Sequence, residues 1–399
     1  MSPAHSKRTI RDIDLQGRRV LLRVDYNVQL DEHGFVFDDL RLRESLPTIK
    51  HLREAGARIV ICSHRGRPRG QVVETLRNAP VARHLSNLLG APVASTPDCI
   101  GLEAHAAVQA LEPGDVLLLE NVRFHAGEEE NDPEFARQLA SLADIYVCDA
   151  FGTAHRAHAS IVGVPKYLPA VAGLLMDREI EYLKNLSADP EHPFGLVLGG
   201  AKVADKIGIL NHLCEHSNVI CVGGGVANTF LSTQGIDIAD SLWDAEGVED
   251  AKRVFEQVEA RPDLRLYLPV DAIVGFGAAD RDHVSRSPVD HVPSGWRILD
   301  IGPATIELFR SALAPMRTVV WNGPLGWFER EPFDHGSLAM AEMLADLDGT
   351  VVVGGGETAA VVQRAGVADR INHVSTGGAA SLAMLQGKPL PAEQALDDA

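Results

Sequence analysis

Short apolar runs rich in β-branched residues recur along this chain of 399 residues, and each ends in a glycine or polar turn. In the first half such runs lie at residues 19–24, 57–62, 116–119 and 145–148. In the second half the segments FGLVLGGAK, VICVGGGVA, TVVWNGPLG, TVVVGGGET and HVSTGGAAS follow the same plan. Strands that alternate with helical patterns are typical of parallel sheets. The sequence therefore predicts an α/β fold made of parallel sheets with helices on both faces.

The length of the chain predicts two domains, because a single hydrophobic core stops growing well below this size. Residues 172–186 (AGLLMDREIEYLKNL) have the pattern of one helix, and the polar, proline-containing segment SADPEHPFG follows them. We therefore expect a first lobe at residues 1–172, a connecting helix at 173–186 and a second lobe at 187–379.

Two helices of the first lobe have readable ends. The segment RESLPTIKHLREAG predicts a helix with Pro47 in its first turn and Gly56 at its end. The segment NDPEFARQLASLA predicts another, with Asn131 or Asp132 as N-cap and Pro133 just inside the helix.

Charge and composition exclude several classes of protein. A net charge of −18 repels polyanions, so we expect no nucleic-acid partner. No apolar run approaches the roughly 18 residues of a membrane-spanning helix, and the N-terminus lacks the apolar segment of a secretory signal. The five cysteines have neither C-x-x-C spacing nor a compact framework, which favours reduced thiols. These features predict a cytoplasmic protein without a membrane partner.

Residues suited to binding an anion follow the strand-like runs of the first lobe. Ligands of open parallel sheets bind beyond the carboxyl ends of the strands. Guanidinium groups suit phosphate and carboxylate because they are planar, permanently charged and able to donate in pairs. Asp25 and Asn27 can accept hydrogen bonds from a hydroxyl group instead. The residues in question are Asp25, Asn27, Arg41, His64, Arg67, Arg123 and Arg156. Together they predict a small, multiply anionic ligand that carries at least one hydroxyl.

His155 and His158 offer an alternative interpretation, because their spacing could place two metal ligands side by side. No third ligand is recognisable in the sequence. Arg156 between them favours an anion instead.

The second lobe has glycine turns that run into helical patterns, although the P-loop motif G-x-x-x-x-G-K-[ST] is absent. Such turns expose backbone N–H groups at the positive end of a helix, which suits phosphate. Lys202 follows Gly199-Gly200 at a predicted helix start, with Lys206 one turn further on. Glu357 follows three glycines and could hold Mg²⁺ directly or through water. The combination favours a nucleotide site.

Several long segments resemble the signature segments of the phosphoglycerate kinase family. In the first lobe these are RVDYNV, DDLRLRESLPTI, SHRGRP, LLLENVRFHAGEE and DAFGTAHRAHAS, and in the second LGGAKVADKIG, LDIGPATIELF, VVWNGPLGWFE, GGGETAA and HVSTGGAAS. The resemblance implies two Rossmann-like lobes joined by a helix and hinge, with the segment from about 380 to 399 returning to the first lobe. It also implies a monomer that transfers a phosphoryl group reversibly between 1,3-bisphosphoglycerate and ADP, giving 3-phosphoglycerate and ATP, with Mg²⁺.

The same resemblance implies roles for individual residues. Phosphoglycerate would be bound by Asp25, Asn27, Arg41, His64, Arg67, Arg123 and Arg156. The nucleotide, its phosphates and the metal would be bound by Lys202, Lys206, Glu329, Gly355, Gly356, Glu357 and Thr358, with Glu329 on the ribose and Glu357 on the metal. The transferred phosphoryl group would meet Arg41, Lys202 and the backbone amides of Gly377 and Gly378.

The sequence departs from the family pattern at a few of these segments. Glu357 stands where aspartate is usual, and Ala379 replaces the third glycine of STGGG. The other departures are Arg65 for leucine, Cys148 for asparagine, and Val226 and Asn228 in the segment GGGVANTF.

We expect direct in-line transfer without a covalent intermediate, because phosphoryl transfer depends mainly on positioning and charge stabilisation. Ligand sites on two lobes would require hinge closure, which also excludes water. Two rival interpretations remain. A binding protein that lost turnover would account for Glu357 and Ala379, and a dinucleotide-dependent dehydrogenase would share the α/β pattern but lacks G-x-G-x-x-G after a first strand.

Overall fold

The computed structural model describes residues 7–31, 33–188, 190–277 and 283–399. Residues 1–6 of the predicted first lobe, and residue 189 of the segment after the connecting helix, lie outside this part. The strands are β1 (Arg19–Val24), β2 (Arg58–Cys62), β3 (Val93–Ser95), β4 (Val116–Leu118), β5 (Ile145–Asp149), β6 (Ala170–Ala172), β7 (Phe194–Leu198), β8 (Val219–Val222), β9 (Arg265–Tyr267), β10 (Asp271–Gly275), β11 (Val284–Pro288), β12 (Arg297–Ile301), β13 (Thr318–Asn322), β14 (Thr350–Gly354) and β15 (His373–Val374).

The helices alternate with these strands along most of the chain. They are α1 (Leu40–Glu54), α2 (Ala79–Leu89), α3 (Gly101–Gln109), α4 (Ala126–Glu129), α5 (Pro133–Ala140), α6 (Leu174–Ala188), α7 (Ile207–Leu213), α8 (Gly224–Thr233), α9 (Val248–Ala260), α10 (Pro303–Leu313), α11 (His335–Ala345), α12 (Gly356–Arg364), α13 (Ala379–Leu385) and α14 (Pro391–Gln394). Within the described residues, no helix combines the length and apolar character needed to cross a membrane.

The chain forms two compact units. Unit 1 extends to Glu181 and takes in Pro389–Ala399 as well, while unit 2 comprises Tyr182–Lys388. The division falls inside α6, the helix at the predicted connection. Backbone hydrogen bonds hold the C-terminal segment in unit 1, among them those from Ala392 N to Ala154 O (3.0 Å) and from Asp397 N to Ala170 O (2.9 Å).

The sheet of unit 1 has the strand order β3-β4-β2-β1-β5-β6, and all its pairs are parallel. Strands β2, β3 and β4 lie on one side of β1, and β5 and β6 lie on the other side. The topological switch therefore lies between β1 and β5, the place where α/β sheets bind ligands. On one face of the sheet, apolar residues of α1 and α2 pack against β1 and β2, among them Ile49, Leu52 and Leu85.

The main sheet of unit 2 has the order β15-β14-β13-β7-β8-β9 and is also parallel, with its switch between β7 and β13. The two parallel sheets confirm the predicted fold class. A three-stranded antiparallel sheet, β11-β10-β12, was not predicted. Its outer strand β11 (VSRSP) lacks the apolar run by which the other strands were recognised.

The predicted start is correct for helix α5 and wrong for helix α1. Asp132 caps α5, since its carboxylate accepts a hydrogen bond from Phe135 N at 2.8 Å, as one of the two predicted caps. The prediction for α1 was wrong at its start, because the helix begins at Leu40 and Pro47 lies in its interior.

Candidate functional site

Asp25 and Arg41 meet at the switch point of unit 1. Asp25 follows β1 directly, and its carboxylate accepts a hydrogen bond from Nη1 of Arg41, which lies in the first turn of α1. Gly152, after β5, completes this corner because a Cβ there would lie 2.6 Å from Asp25 Oδ2. Asn27 is exposed, and its Oδ1 accepts a hydrogen bond from Gly66 N (2.8 Å), which ties the turn after β1 to the turn after β2.

Arg123 is the most unusual cation of this cluster. Its side chain is only 2% exposed, and Nη1 donates to Gly66 O at 2.8 Å. Among the described residues, its Nε and Nη2 have no hydrogen-bond partner, although Nε lies 3.4 Å from Glu129 Oε1. Burial, followed by the positive charge of Arg156, lowers the pKa of Arg123 to about 10. Buried guanidinium donors without an acceptor are chemically suited to an anion.

Three histidines lie in the field of these arginines. Burial comes first and the arginines second in holding the pKa of His64 well below its usual range. The same two causes lower the pKa of His155, and that of His158 to about 4. All three imidazoles are therefore neutral near pH 7 in the ligand-free protein. Within the described part of the chain, the group of side chains close enough to share a metal ion includes neither His155 nor His158.

A buried polar chain beneath the cluster was missed by the sequence analysis. Arg23, 1% exposed, donates from Nε to Ser160 Oγ at 2.8 Å. Ser160 in turn donates from its hydroxyl and its backbone N to the two carboxylate oxygens of Glu128, at 2.6 and 2.8 Å. The one signal in the sequence was Arg23, which follows the apolar residues 20–22 inside the strand RVLLRV.

Arg65 and Arg67, two arginines that follow β2, differ in burial. Arg67 is exposed, beside the turn that contains Gly66. Arg65, the departure from the family pattern, is 2% exposed and donates to the carbonyl oxygens of Val28 (3.4 Å) and Arg77. Its guanidinium therefore fastens neighbouring backbone segments and does not extend the anion cluster.

In unit 2 the two lysines precede the helix on which they were predicted. Helix α7 begins only at Ile207, so Lys202 is an exposed residue of the loop after β7, and Lys206 is the N-cap. The prediction that Lys202 opens a helix was wrong, because residues 204–206 form a turn before α7 begins. Burial lowers the pKa of Lys206, while the charges of Asp205 and Glu357 oppose that shift.

Side-chain hydrogen bonds connect the strand ends around the switch point of unit 2. Lys206 Nζ donates to Asn322 Oδ1, and Asn322 Nδ2 donates to Gly354 O at 2.9 Å. Gly323 N donates to the hydroxyl oxygen of Thr358, which is buried, at 2.8 Å. Thr358 thus joins the turn after β13 to helix α12.

The turns before α12 and α13 place the remaining predicted residues. Gly355 has a φ of +94° and is the N-cap of α12, so that Glu357 is exposed in the first turn. Gly378 has a φ of +52° and caps α13, while Gly377 N donates to Ser375 Oγ at 3.2 Å. The Gly377 amide therefore already has a partner in the ligand-free protein.

A cavity of about 640 Å³ opens in unit 2 beside these turns. Its walls are largely apolar, with Leu242, Trp243 and Trp327 among the lining residues, and Glu329 and Glu357 also line it. This volume is within the range of small-molecule pockets. The wall at Leu242–Trp243 was not predicted, although a Leu-Trp pair in the polar segment DSLWDAEG is a usable signal. Asn228, a departure from the family pattern, supports that wall by donating to Leu242 O at 2.9 Å.

Comparison with known proteins identifies the family. The family model described as phosphoglycerate kinase matches residues 10–388. The chain belongs to the phosphoglycerate kinase family. It is 51% identical to the phosphoglycerate kinase of Pelotomaculum thermopropionicum over 393 residues, which cover 98% of this chain and 100% of that one. It is also 51% identical to that of Moorella thermoacetica over 394 residues, with the same coverage.

Solved structures agree with this assignment. The phosphoglycerate kinase of Coxiella burnetii superposes with a TM-score of 0.88 at 39% identity, over 98% of each chain. That of Pyrococcus horikoshii gives a TM-score of 0.85 at 32% identity, over 97% of this chain and 98% of the other. The family consists of phosphotransferases with a carboxyl group as acceptor, and its general function is the reversible phosphoryl transfer of glycolysis. Both the suspected family and the predicted enzyme class are confirmed, and the dehydrogenase interpretation is wrong.

Proposed function

We propose that this chain transfers a phosphoryl group between 1,3-bisphosphoglycerate and Mg²⁺-ADP, with phosphoglycerate bound by unit 1 and the nucleotide by unit 2. The observation that carries the proposal is Arg123, whose buried Nε and Nη2 have no hydrogen-bond partner in the described structure. Leaving buried donors unpaired costs free energy, and a phosphate or carboxylate would supply the missing acceptors.

The surrounding residues suit the rest of a phosphoglycerate molecule. Arg41 and Arg156 add positive charge. The imidazole of His64, whose pKa is lowered well below its usual range, is neutral near pH 7 and adds an N–H donor without adding charge. Asp25 and Asn27 offer oxygen atoms to the hydroxyl group at the corner closed by Gly152. Arg67, being exposed, is free to fold over a bound anion, and its role stays a prediction.

Nucleotide binding in unit 2 rests on the cavity and on the turns that border it. Its apolar walls suit a purine, and the presence of Glu329 in the lining supports its predicted role as an acceptor for the ribose hydroxyls. We assign the nucleotide phosphates to Lys202 and Lys206, with Gly355 and Gly356, because their sequence neighbours Gly200, Ala201 and Glu357 line the cavity. Thr358 supports this segment from within the fold, through its bond from Gly323.

One carboxylate of unit 2, that of Glu357, is suited to binding Mg²⁺. Glu357 is exposed in the first turn of α12 and lines the cavity, so its oxygens are available to a hard cation that keeps several waters. When bound, Mg²⁺ would neutralise charge on the nucleotide phosphates. This carboxylate is one methylene longer than the family's usual aspartate, which predicts an altered metal dependence.

The chain's own residues supply positioning and positive charge. No general base is needed, because the acceptor is a carboxylate or a phosphate that is already ionised. The roles of Arg41, Lys202, Gly377 and Gly378 toward the transferred group, expected from the sequence, stay predictions. The hinge closure, monomeric state and cytoplasmic location expected from the sequence stay predictions.

A coupled assay of ATP formation from ADP and 1,3-bisphosphoglycerate, with Mg²⁺ and again with EDTA, tests the proposal. We expect turnover that requires Mg²⁺, together with calorimetric binding of 3-phosphoglycerate. Binding of both ligands without turnover would instead support the interpretation as a binding protein. Turnover that persists in EDTA would contradict the metal role of Glu357.

A further inference from the structure

The hydrogen bond between Arg23 and His64 fixes where the imidazole carries its proton. Nη2 of Arg23 lies 3.3 Å from Nδ1 of His64, and both side chains are 1% exposed. A guanidinium has five N–H donors, no acceptor, and does not lose its proton in proteins. In this contact His64 Nδ1 must therefore be the acceptor, so that it carries no hydrogen.

Arg23 cannot easily turn away from this contact. Its Nε donates to Ser160 Oγ at 2.8 Å, and its Nη1 donates to Val24 O. Ser160 is held in turn by both oxygens of the fully buried Glu128. Each nitrogen of the guanidinium thus has a buried partner. Because Nε and Nη1 are held, the direction of the N–H bond from Nη2 toward His64 is fixed.

His64 is also surrounded by cations that oppose a second proton. After burial, the groups that lower its pKa are Arg23, Arg123, Arg156 and Arg41. The imidazole therefore has a single N–H near pH 7 in the ligand-free protein, and the contact with Arg23 leaves Nε2 as its only position.

We propose that Arg23 is a positioning residue that holds His64 as the Nε2–H imidazole, so that His64 recognises phosphoglycerate as a neutral, single-direction donor. This inference rests on the proposed function, in which His64 belongs to the phosphoglycerate site. A neutral donor of fixed direction complements the charged guanidinium groups of the cluster. The buried hydrogen bonds that join Arg23, Ser160 and Glu128 then also contribute to ligand recognition, because they hold Arg23 against His64.

The first test measures the tautomer directly. Long-range ¹⁵N–¹H correlation spectra of the ¹⁵N-labelled, ligand-free protein at pH 7 distinguish the protonated ring nitrogen from the unprotonated one. The His64 signals are identified by their loss in His64→Gln. We expect protonation at Nε2 alone. Protonation at Nδ1, or at both nitrogens, would overturn the proposal whether or not the protein binds phosphoglycerate.

Variants of Arg23 test its role in setting the tautomer. In Arg23→Lys the ammonium is still a donor without an acceptor, and we expect His64 to keep its Nε2–H form. In Arg23→Met we expect a mixture of both tautomers. If Arg23→Met does not fold, the wild-type and Arg23→Lys spectra decide. An Nδ1–H form in Arg23→Lys would refute the argument.

Two amides test the donor itself. The side-chain nitrogen of glutamine can take the place of Nε2, whereas that of asparagine takes the place of Nδ1 and would face Arg23. We expect His64→Gln to bind 3-phosphoglycerate within about fivefold of wild type and His64→Asn to lose about 10- to 100-fold, as for one hydrogen bond to a charged group. Equal losses, or the reverse order, in variants with wild-type circular dichroism would contradict the proposal. If the wild-type protein binds no 3-phosphoglycerate, the proposed function fails, while the spectra still report on the tautomer.

Discussion

Replacing Arg123 with methionine should weaken phosphoglycerate binding without destabilising the free protein. The wild-type guanidinium is buried, two of its nitrogens have no hydrogen-bond partner in the described structure, and its pKa is lowered to about 10. A lowered pKa for a base means that folding disfavours the charged form, and this cost is present at every pH below about 10. Methionine keeps much of the packing and removes the charge.

The magnitudes follow from the contacts that change. Removing the unsatisfied Nη2 donor gains about 1–3 kcal/mol, the gain at Nε is offset by losing its attraction to Glu129 at 3.4 Å, and losing the bond from Nη1 to Gly66 O costs about 1 kcal/mol. We therefore expect Arg123→Met to leave unit 1 unchanged in stability or more stable by about 2 kcal/mol. Losing charge-assisted bonds to the ligand should cost about 2–4 kcal/mol, or roughly 30- to 1,000-fold in Kd.

Arg19→Met is the matched control, because Arg19 belongs to the same unit but pairs with Asp144 through Nη2 and Oδ1 at 2.6 Å. That hydrogen bond raises the pKa of Arg19, so folding favours its charge. Thermal denaturation and titration calorimetry with 3-phosphoglycerate compare the two variants. The control should lose stability and keep its Kd. If Arg123→Met loses as much stability as the control and binds within about threefold of wild type, the reasoning is refuted.

Three further predictions concern the transfer chemistry, the cavity and the pH dependence of stability. Lys202→Ala should lower kcat at least about 100-fold and leave 3-phosphoglycerate binding intact, and unchanged turnover in the coupled assay would exclude the proposed role. Trp243→Ala should weaken ADP binding about 10-fold or more by calorimetry while sparing 3-phosphoglycerate, and an equal loss of both ligands would contradict separate sites. Burial raises the pKa of Asp149 from 3.8 to about 7, so the folded protein holds a proton there between about pH 4 and 7 that the unfolded chain has lost. The free energy of unfolding therefore falls across that window as pH rises. Asp149→Asn should remove part of this fall, measured by urea titrations at pH 5, 6 and 8. The prediction is refuted if the variant shows the same dependence of unfolding free energy on pH as the wild type.

The sequence was most informative about strands that end in a turn. The runs predicted at 19–24, 116–119 and 145–148 agree to within one residue with β1, β4 and β5, because a buried parallel strand must be apolar on both faces. Strands β3 (VAS) and β6 (AVA) were not predicted, because their mostly small residues do not form a β-branched apolar run. In the antiparallel sheet, β11 (VSRSP) likewise has no apolar run.

Residue types also indicated the candidate anion cluster, because arginine and histidine after several strand ends can be read without coordinates. Their individual states could not be read. Arg65 and Arg67 stand two positions apart, yet one is buried against backbone carbonyls and the other is exposed. That difference depends on where Val28 and Arg77 lie, and both are distant in sequence.

The sequence by itself determined the alternation of strand and helix, the order of the turns and the family to which they belong. Only the tertiary structure decided that Arg123 has unused donors, that Arg23 lies against His64, and that Leu242 and Trp243 line a cavity. The physical reason is that local pattern fixes the backbone elements, whereas charge state, burial and hydrogen-bond direction depend on neighbours brought together from distant parts of the chain.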